Sequence, residues 1–214
     1  AYVGGIFTNA GNVVGADYIA KFTASDTVGQ YTVNSTADRD DQNTNDGICD
    51  TGQTVLRDGQ PEAECTLRAA IQQANAQADK QLIAFNIPST ALEIGSVASV
   101  PSIRPGDALP TVSDAVVIDG STQPGGGGVE LNGSGAGSGA SGLRITAGNS
   151  TVRGLAINRF YGGHGIWLQT GGGNLVKGNL IGTSADGTTG QGNGGHGIFV
   201  DNSANNTLGG TTQS

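Results

Sequence analysis

The stretch Gly163-His-Gly-Ile-Trp-Leu168 recurs 32 residues later as Gly195-His-Gly-Ile-Phe-Val200. A second stretch, Leu175-Val-Lys-Gly178, aligns with Thr151-Val-Arg-Gly154 at an offset of 24 residues and with Thr207-Leu-Gly-Gly210 at an offset of 32. Short aliphatic segments that recur at a nearly fixed spacing are typical of repeat proteins in which equivalent strands stack on one another. We attribute the difference between the two offsets to a loop inserted at residues 182–194.

These repeats predict a solenoid of short strands from about residue 111 to residue 214. Asn174 and Asn206 precede equivalent strands, so we expect them to form an asparagine ladder at one corner. A propeller or a sandwich is the alternative. Sandwich strands follow each other every 8–12 residues without a long repeat in register, so the repeat makes that fold less favoured.

Composition and charge restrict the class of protein. The chain has 214 residues, 38 of them Gly, and a formal net charge of −8. Glycine does not recur in triplets, which excludes collagen, and no apolar run is long enough to span a membrane. The acidic balance argues against nucleic acid, which requires a basic surface. Methionine is absent and no signal peptide is recognised, so we expect a processed or excised piece of a larger protein.

One segment before the repeats has helical periodicity. Leu67, Ile71 and Ala74 recur at the spacing of one helical face, and Thr66 stands where an N-cap residue is expected. The sequence therefore predicts a helix over residues 66–78, with these apolar side chains directed inward.

The string Cys65-Thr-Leu-Arg-Ala-Ala-Ile-Gln72 at this helix resembles the signature of the CSLREA domain. Residues 32–38 and 46–49 before it, and 108–112 and 118–125 after it, are also similar, so the resemblance covers about residues 31–125. One position departs from the signature. The Glu that would complete a capping box with Thr66 is Ala69 here, so we expect a weaker helix start than in relatives.

The resemblance implies a location and completes the fold prediction. CSLREA domains typically lie at the N-terminal end of right-handed parallel β-helices on bacterial surfaces. We therefore expect an all-β fold, a right-handed parallel β-helix with an N-terminal capping α-helix and a short N-terminal hairpin. The expected parts are a hairpin at 1–30 that resembles a β-propeller repeat, a capping region at 31–110, and coils at 111–214, truncated at the C-terminus.

Cys49 and Cys65 are separated by 16 residues. They are either bonded to each other, which implies an oxidising compartment, or two unrelated buried thiols of a cytosolic protein. Two cysteines cannot form a structural zinc site without other ligands, and both histidines are distant in the sequence. We favour the disulfide, which would stabilise the fold by about 3 kcal/mol in the chain-entropy model.

An acidic, amide-rich loop precedes the helix. Asp38, Asp41, Asn43, Asn45 and Asp46 supply the density of oxygen donors that calcium prefers. The following Gly lies one place too late for an EF-hand, and a solvated turn-rich loop is the alternative. We predict calcium in this loop as a possible cofactor.

Two pairs of repeat residues are candidates for contact with a glycan or a protein partner. Trp167 and Phe199 align at the offset of 32 and should point outward between inward aliphatic neighbours. They form either a stacking platform for sugar or a packing ladder covered by the 182–194 loop. Arg153 and Lys177 align one repeat apart and form either a contact for an anionic sugar or a solvated pair.

The Gly-His-Gly triplets at His164 and His196 resemble a triplet of polygalacturonase-type enzymes. Those enzymes also require clustered Asp residues, which the repeats lack, so we interpret the triplet as a corner motif. We predict an extracellular or cell-surface structural or adhesive module without catalysis. Its partners would be other domains or copies of the parent protein and possibly glycan, with neither nucleic acid nor membrane insertion. The alternative is a polysaccharide-binding or polysaccharide-degrading domain of the lyase or hydrolase kind.

Overall fold

The computed structural model describes residues 29–88 and 100–209. Nearly all of the hairpin predicted at residues 1–30 lies outside these ranges. In chain order the elements are β1 (Gly29–Val33), β2 (Thr54–Arg57), β3 (Gln60–Ala63), α1 (Leu67–Asn75), β4 (Gln81–Phe85), β5 (Ser102–Ile103), β6 (Val116–Asp119), β7 (Val129–Asn132), β8 (Leu143–Ile145), β9 (Thr151–Arg153), β10 (Leu155–Asn158), β11 (Ile166–Gln169), β12 (Leu175–Lys177), β13 (Leu180–Ile181), β14 (Ile198–Asp201) and β15 (Thr207–Leu208).

These strands belong to separate sheets. The first sheet has six parallel strands in the order β1-β4-β6-β9-β12-β15, the second has four in the order β13-β10-β7-β5, and the third has three in the order β14-β11-β8. β2 and β3 form an antiparallel hairpin of their own. From β6 onward the chain visits the first, second and third sheets in turn.

The register that the repeats predict is confirmed strand by strand. Leu175 pairs with Thr151 on one side and with Thr207 on the other, as the offsets of 24 and 32 require. Trp167 pairs with Phe199 in the same way. Equivalent side chains therefore lie next to each other on neighbouring strands.

The predicted fold class is wrong. We expected an all-β, right-handed parallel β-helix, and the structure instead divides the strands among several separate parallel sheets. An antiparallel hairpin and one helix complete a mixed arrangement that is mostly sheet. The sequence repeat reports which strands pair, and it does not report how the chain turns between sheets.

The turns between the strands explain this division. Gly154 separates β9 from β10 with a φ of 70°, a conformation that favours glycine. A Cβ atom at this position would lie 2.3 Å from the backbone nitrogen of Ser121. Strands therefore end after two to five residues, and the chain passes to the next sheet.

The helix packs against β1 and β4 at one end of the first sheet. Leu67, Ile71 and Ala74 are buried, as predicted from their spacing. The helix ends at Asn75, earlier than the predicted Ala78, and the Asn75 side chain donates to the carbonyl of Thr111 and accepts from the amide of Ser113. These bonds fix the last helical turn against the chain that follows.

Columns of aliphatic side chains fill the space between the sheets. Ile118, Val152 and Val176 are consecutive partners across the first sheet, and all three are buried. Leu131 and Ile157 form the equivalent pair in the second sheet. One hydrophobic cluster includes these columns and the buried face of the helix.

Candidate functional site

The outward face of the third sheet carries a row of aromatic and cationic side chains. In β11, Ile166 and Leu168 are buried and Trp167 between them is half-buried, which is the alternation of a strand with one covered face. Trp167 pairs with Arg144 of β8 and with Phe199 of β14. We call Arg144, Trp167, Phe199 and the adjacent His164 and His196 the aromatic cluster.

The rings of the aromatic cluster contact one another closely. His164 stacks on Phe199 with ring centroids 4.5 Å apart and on His196 at 5.3 Å. Trp167 meets Phe199 at 6.0 Å in a tilted arrangement and His164 at 5.8 Å edge to face. The guanidinium carbon of Arg144 lies 4.6 Å from the centre of the Trp167 ring, within the range of a cation–π contact. The predicted aromatic pair is therefore part of a larger stack of planar groups.

His164 is held in one tautomer. Its Nδ1 accepts a hydrogen bond of 2.9 Å from the backbone amide of His196, so the ring proton lies on Nε2. Burial, followed by the charge of His196, lowers the pKa of His164 below its ordinary value. The ring is therefore neutral near pH 7.

A row of polar side chains lies beside the rings. Arg144 donates from Nε and Nη2 to Oε1 of Gln169 at 3.1 and 2.6 Å. Gln169 donates in turn to a carboxylate oxygen of Asp201 at 3.2 Å. The third sheet thus presents planar groups next to fixed donors and acceptors, which is the combination that binds the faces and hydroxyl groups of sugars.

Sequence reasoning identified Trp167 and Phe199, and it missed Arg144, Gln169 and Asp201. A signal for Arg144 exists, because Leu143-Arg-Ile145 has the same in-out-in pattern as Ile166-Trp-Leu168. No Gly-His-Gly triplet precedes it, so the repeat search did not align it.

The predicted basic pair is placed on adjacent strands, and Arg153 has an acidic partner that the sequence did not reveal. Lys177 pairs with Arg153, and Arg153 pairs on its other side with Asp119 of β6. Nη2 of Arg153 donates to the buried carboxylate of Asp119 at 2.6 Å. Asp119 therefore offsets one of the two like charges.

The five predicted calcium ligands do not converge. Asp38 accepts from Nε of Arg68 at 2.8 Å and from Nη2 at 2.9 Å, and Asp107 contacts the same guanidinium. The hydrogen bonds and charge of Asp38 raise the pKa of Arg68. Asp38 is thus the partner of a buried arginine.

The other candidate ligands bind the backbone of their own loop. Asp41 accepts from the amides of Asn43 and Asp50, Asn43 accepts from the amide of Asn45, and Asp46 accepts from the amide of Ile48. Burial raises the pKa of the Asp41 carboxyl. Within residues 29–88 and 100–209, no group of three or more His, Cys, Asp or Glu side chains is arranged to hold a metal. Calcium in this loop stays a prediction, which isothermal titration with calcium tests.

The disulfide prediction is confirmed. Cys49 and Cys65 are bonded to each other and join the acidic loop to the start of the helix. Cys65 is buried, and its backbone amide donates to the Asn34 side chain at 2.8 Å.

Comparison of the chain with known protein families, with curated proteins and with solved structures finds no match. Among the residues that the structure describes, no helix is both long and apolar enough to cross a membrane.

Proposed function

We propose that this chain is a non-catalytic adhesive module of a bacterial surface protein, and that the aromatic cluster is its contact site for glycan. The single observation that carries the proposal is the stack of half-buried rings on the outward face of the third sheet. Apolar ring faces stack on the C–H face of a sugar without any titrating group. Aromatic side chains with some exposed surface are a common feature of such binding sites.

A cell-surface location is supported by two observations. The Cys49–Cys65 disulfide is typical of proteins in oxidising compartments. The resemblance of residues 31–125 to the CSLREA domain favours the surface of a bacterium, where other domains or copies of the parent protein would be neighbours. Arg153 and Lys177 are a second predicted contact for an anionic sugar, on the first sheet.

The proposal has a direct optical test, because Trp167 is the only tryptophan of the chain. We expect neutral and acidic oligosaccharides from a panel to change the intensity or wavelength of its fluorescence on binding. Phe199→Ala should weaken that binding at least tenfold, since stacking contributes about 1–1.5 kcal/mol or more per ring. The reporter itself is retained in this variant.

The matched control is Tyr161→Ala, because Tyr161 is an exposed aromatic residue outside the cluster. Its affinity for the same oligosaccharide should equal that of the wild type. Unchanged fluorescence with every oligosaccharide, checked by calorimetry, would refute the glycan contact and leave a purely structural module.

A further inference from the structure

Arg144 differs from the other described arginines that form ion pairs. Five arginines lie within 3.6 Å of a carboxylate oxygen, and the pairs are Arg39–Glu64, Arg57–Glu62, Arg68–Asp38, Arg153–Asp119 and Arg159–Glu130. Arg144 contacts no carboxylate in the part of the chain that the structure describes. Its hydrogen-bond acceptor is the neutral amide oxygen of Gln169.

This arrangement holds the guanidinium in place without neutralising it. Stacking on Trp167 and the two bonds to Gln169 fix its plane. These bonds use Nε and Nη2, so Nη1 has no acceptor among the described residues. A planar guanidinium with free N–H groups matches a carboxylate better than any other protein cation.

The remaining charge nearby does not compete for this group. Asp201 is the acidic residue of the same outward face, and it accepts from Gln169 at 3.2 Å and from Asn202 at 2.8 Å. The Gln169 side chain separates it from Arg144. The two histidines add no negative charge at any pH.

We infer that the aromatic cluster binds carboxylated sugars, with Arg144 as the residue that selects the carboxylate. This inference rests on the proposed glycan contact and specifies its ligand class. The ring of a uronic acid would stack beside Trp167 and Phe199, and its carboxylate would receive hydrogen bonds from Nη1 of Arg144. Because the molecule carries a net charge of −8, the selection must come from this local contact and not from the overall field.

A matched pair of ligands tests the inference. Trigalacturonic acid and its fully methyl-esterified form have the same rings, but only the first carries carboxylates. We expect the wild type to bind the acid at least tenfold more tightly than the ester, since a hydrogen bond between charged groups contributes that much or more. The preference should shrink as salt rises, because the contact is partly exposed.

The variants separate this contact from others. Arg144→Gln should bring the ratio of acid to ester affinity close to one, and Arg144→Lys should retain part of the preference because the charge remains. Lys177→Gln removes one positive charge from a different sheet and should leave the ratio unchanged. Melting temperature and circular dichroism confirm that each variant is folded.

Each outcome bears on the inference. Equal binding of acid and ester by the wild type would overturn it while the glycan contact stands. A preference that survives in Arg144→Gln, or disappears in Lys177→Gln, would also overturn it. Binding of neither ligand, together with silence across the wider oligosaccharide panel, would refute the glycan contact as well.

Discussion

His164 links the aromatic cluster to pH. Its folded-state pKa is lower than the ordinary value of 6.5, because burial and the charge of His196 oppose protonation. Below pH 6.5 the unfolded chain therefore binds a proton at this residue more readily than the folded chain. The stability associated with His164 is fully present above that pH and is lost as the pH falls.

We expect the melting temperature to fall between pH 7 and pH 5 in part through His164. The groups that face its ring are His196, Phe199 and Trp167. His164→Gln keeps an acceptor for the His196 amide and removes the titration, so its melting curve should depend less on pH in this range. A variant with the same pH dependence as the wild type would contradict the assignment.

Arg68 is the second residue whose environment leads to a prediction. Only 10% of its side chain and 15% of that of Asp38 are exposed, whereas 79% of Asp107 is exposed. Arg68→Met would leave the Asp38 carboxylate buried without its counter-charge, which costs about 3–5 kcal/mol of unfolding free energy.

Urea denaturation measures the effect of Arg68→Met on unfolding. The control is Glu62→Gln, which breaks the pair with Arg57 at a carboxylate whose side chain is 48% exposed. Exposed pairs contribute about 0–1 kcal/mol, so the control should be nearly as stable as the wild type. Similar losses in both variants would show that Arg68 and Asp38 are well solvated.

At the scale of the element, the helix start replaces a capping box with burial. Thr66 accepts from the amide of Ala69 at 3.1 Å and donates to the carbonyl of Arg39 at 2.6 Å, so half of the box is present. Ala69 is fully buried. Its small side chain is therefore required by packing, and the missing Glu does not simply weaken the helix.

Restoring the family residue should consequently destabilise this protein. Ala69→Glu would gain a capping hydrogen bond, but it would place a carboxylate in a fully buried position, and we expect a net loss of about 2–4 kcal/mol. Ala78→Glu, at an exposed position just after the helix, should change the stability by less than about 0.5 kcal/mol. Thermal denaturation of both variants is the measurement, and a more stable Ala69→Glu would show that the capping box outweighs the burial of its carboxylate.

The asparagine ladder shows how far a sequence repeat predicts an element. Asn174 donates to the Asn206 side chain at 3.0 Å and accepts from the amide of Ser150 at 2.9 Å, as the alignment of the two asparagines predicted. The repeat predicted this because each corner presents the same unpaired backbone groups. It did not predict the pair of Arg153 and Asp119, because their offset of 34 residues matches neither repeat spacing.

For the whole molecule, the sequence predicted pairing better than architecture. The registers of β9, β12 and β15 and the disulfide follow from spacing and local pattern. The division into separate sheets depends on backbone angles at single residues such as Gly154, and these angles are determined by contacts with distant chain. The site was predicted in the same partial way, since ring positions repeat and the Arg144–Gln169 contact does not.

The carboxylates of the whole molecule lead to a final prediction about catalysis. Hydrolysis of a glycan requires a pair of carboxyl groups on either side of the scissile bond, one of them protonated near neutral pH. Asp119 is bound to Arg153 at 2.6 Å. Hydrogen bonds from Ser184 and Thr188 lower the pKa of Asp186 to about 2, so this group is ionised and cannot act as the acid.

We therefore expect no new reducing ends and no unsaturated uronate absorbance when the protein is incubated with pectin, alginate or related glycans. Binding by the aromatic cluster would persist, because stacking and the Arg144 contact need no proton transfer. The decisive comparison uses Asp119→Asn and Arg153→Gln beside the wild type in the same assays. Turnover by the wild type that either substitution abolishes would establish an enzyme on the first sheet, since Asp119 and Arg153 would then be its acid–base and cationic groups.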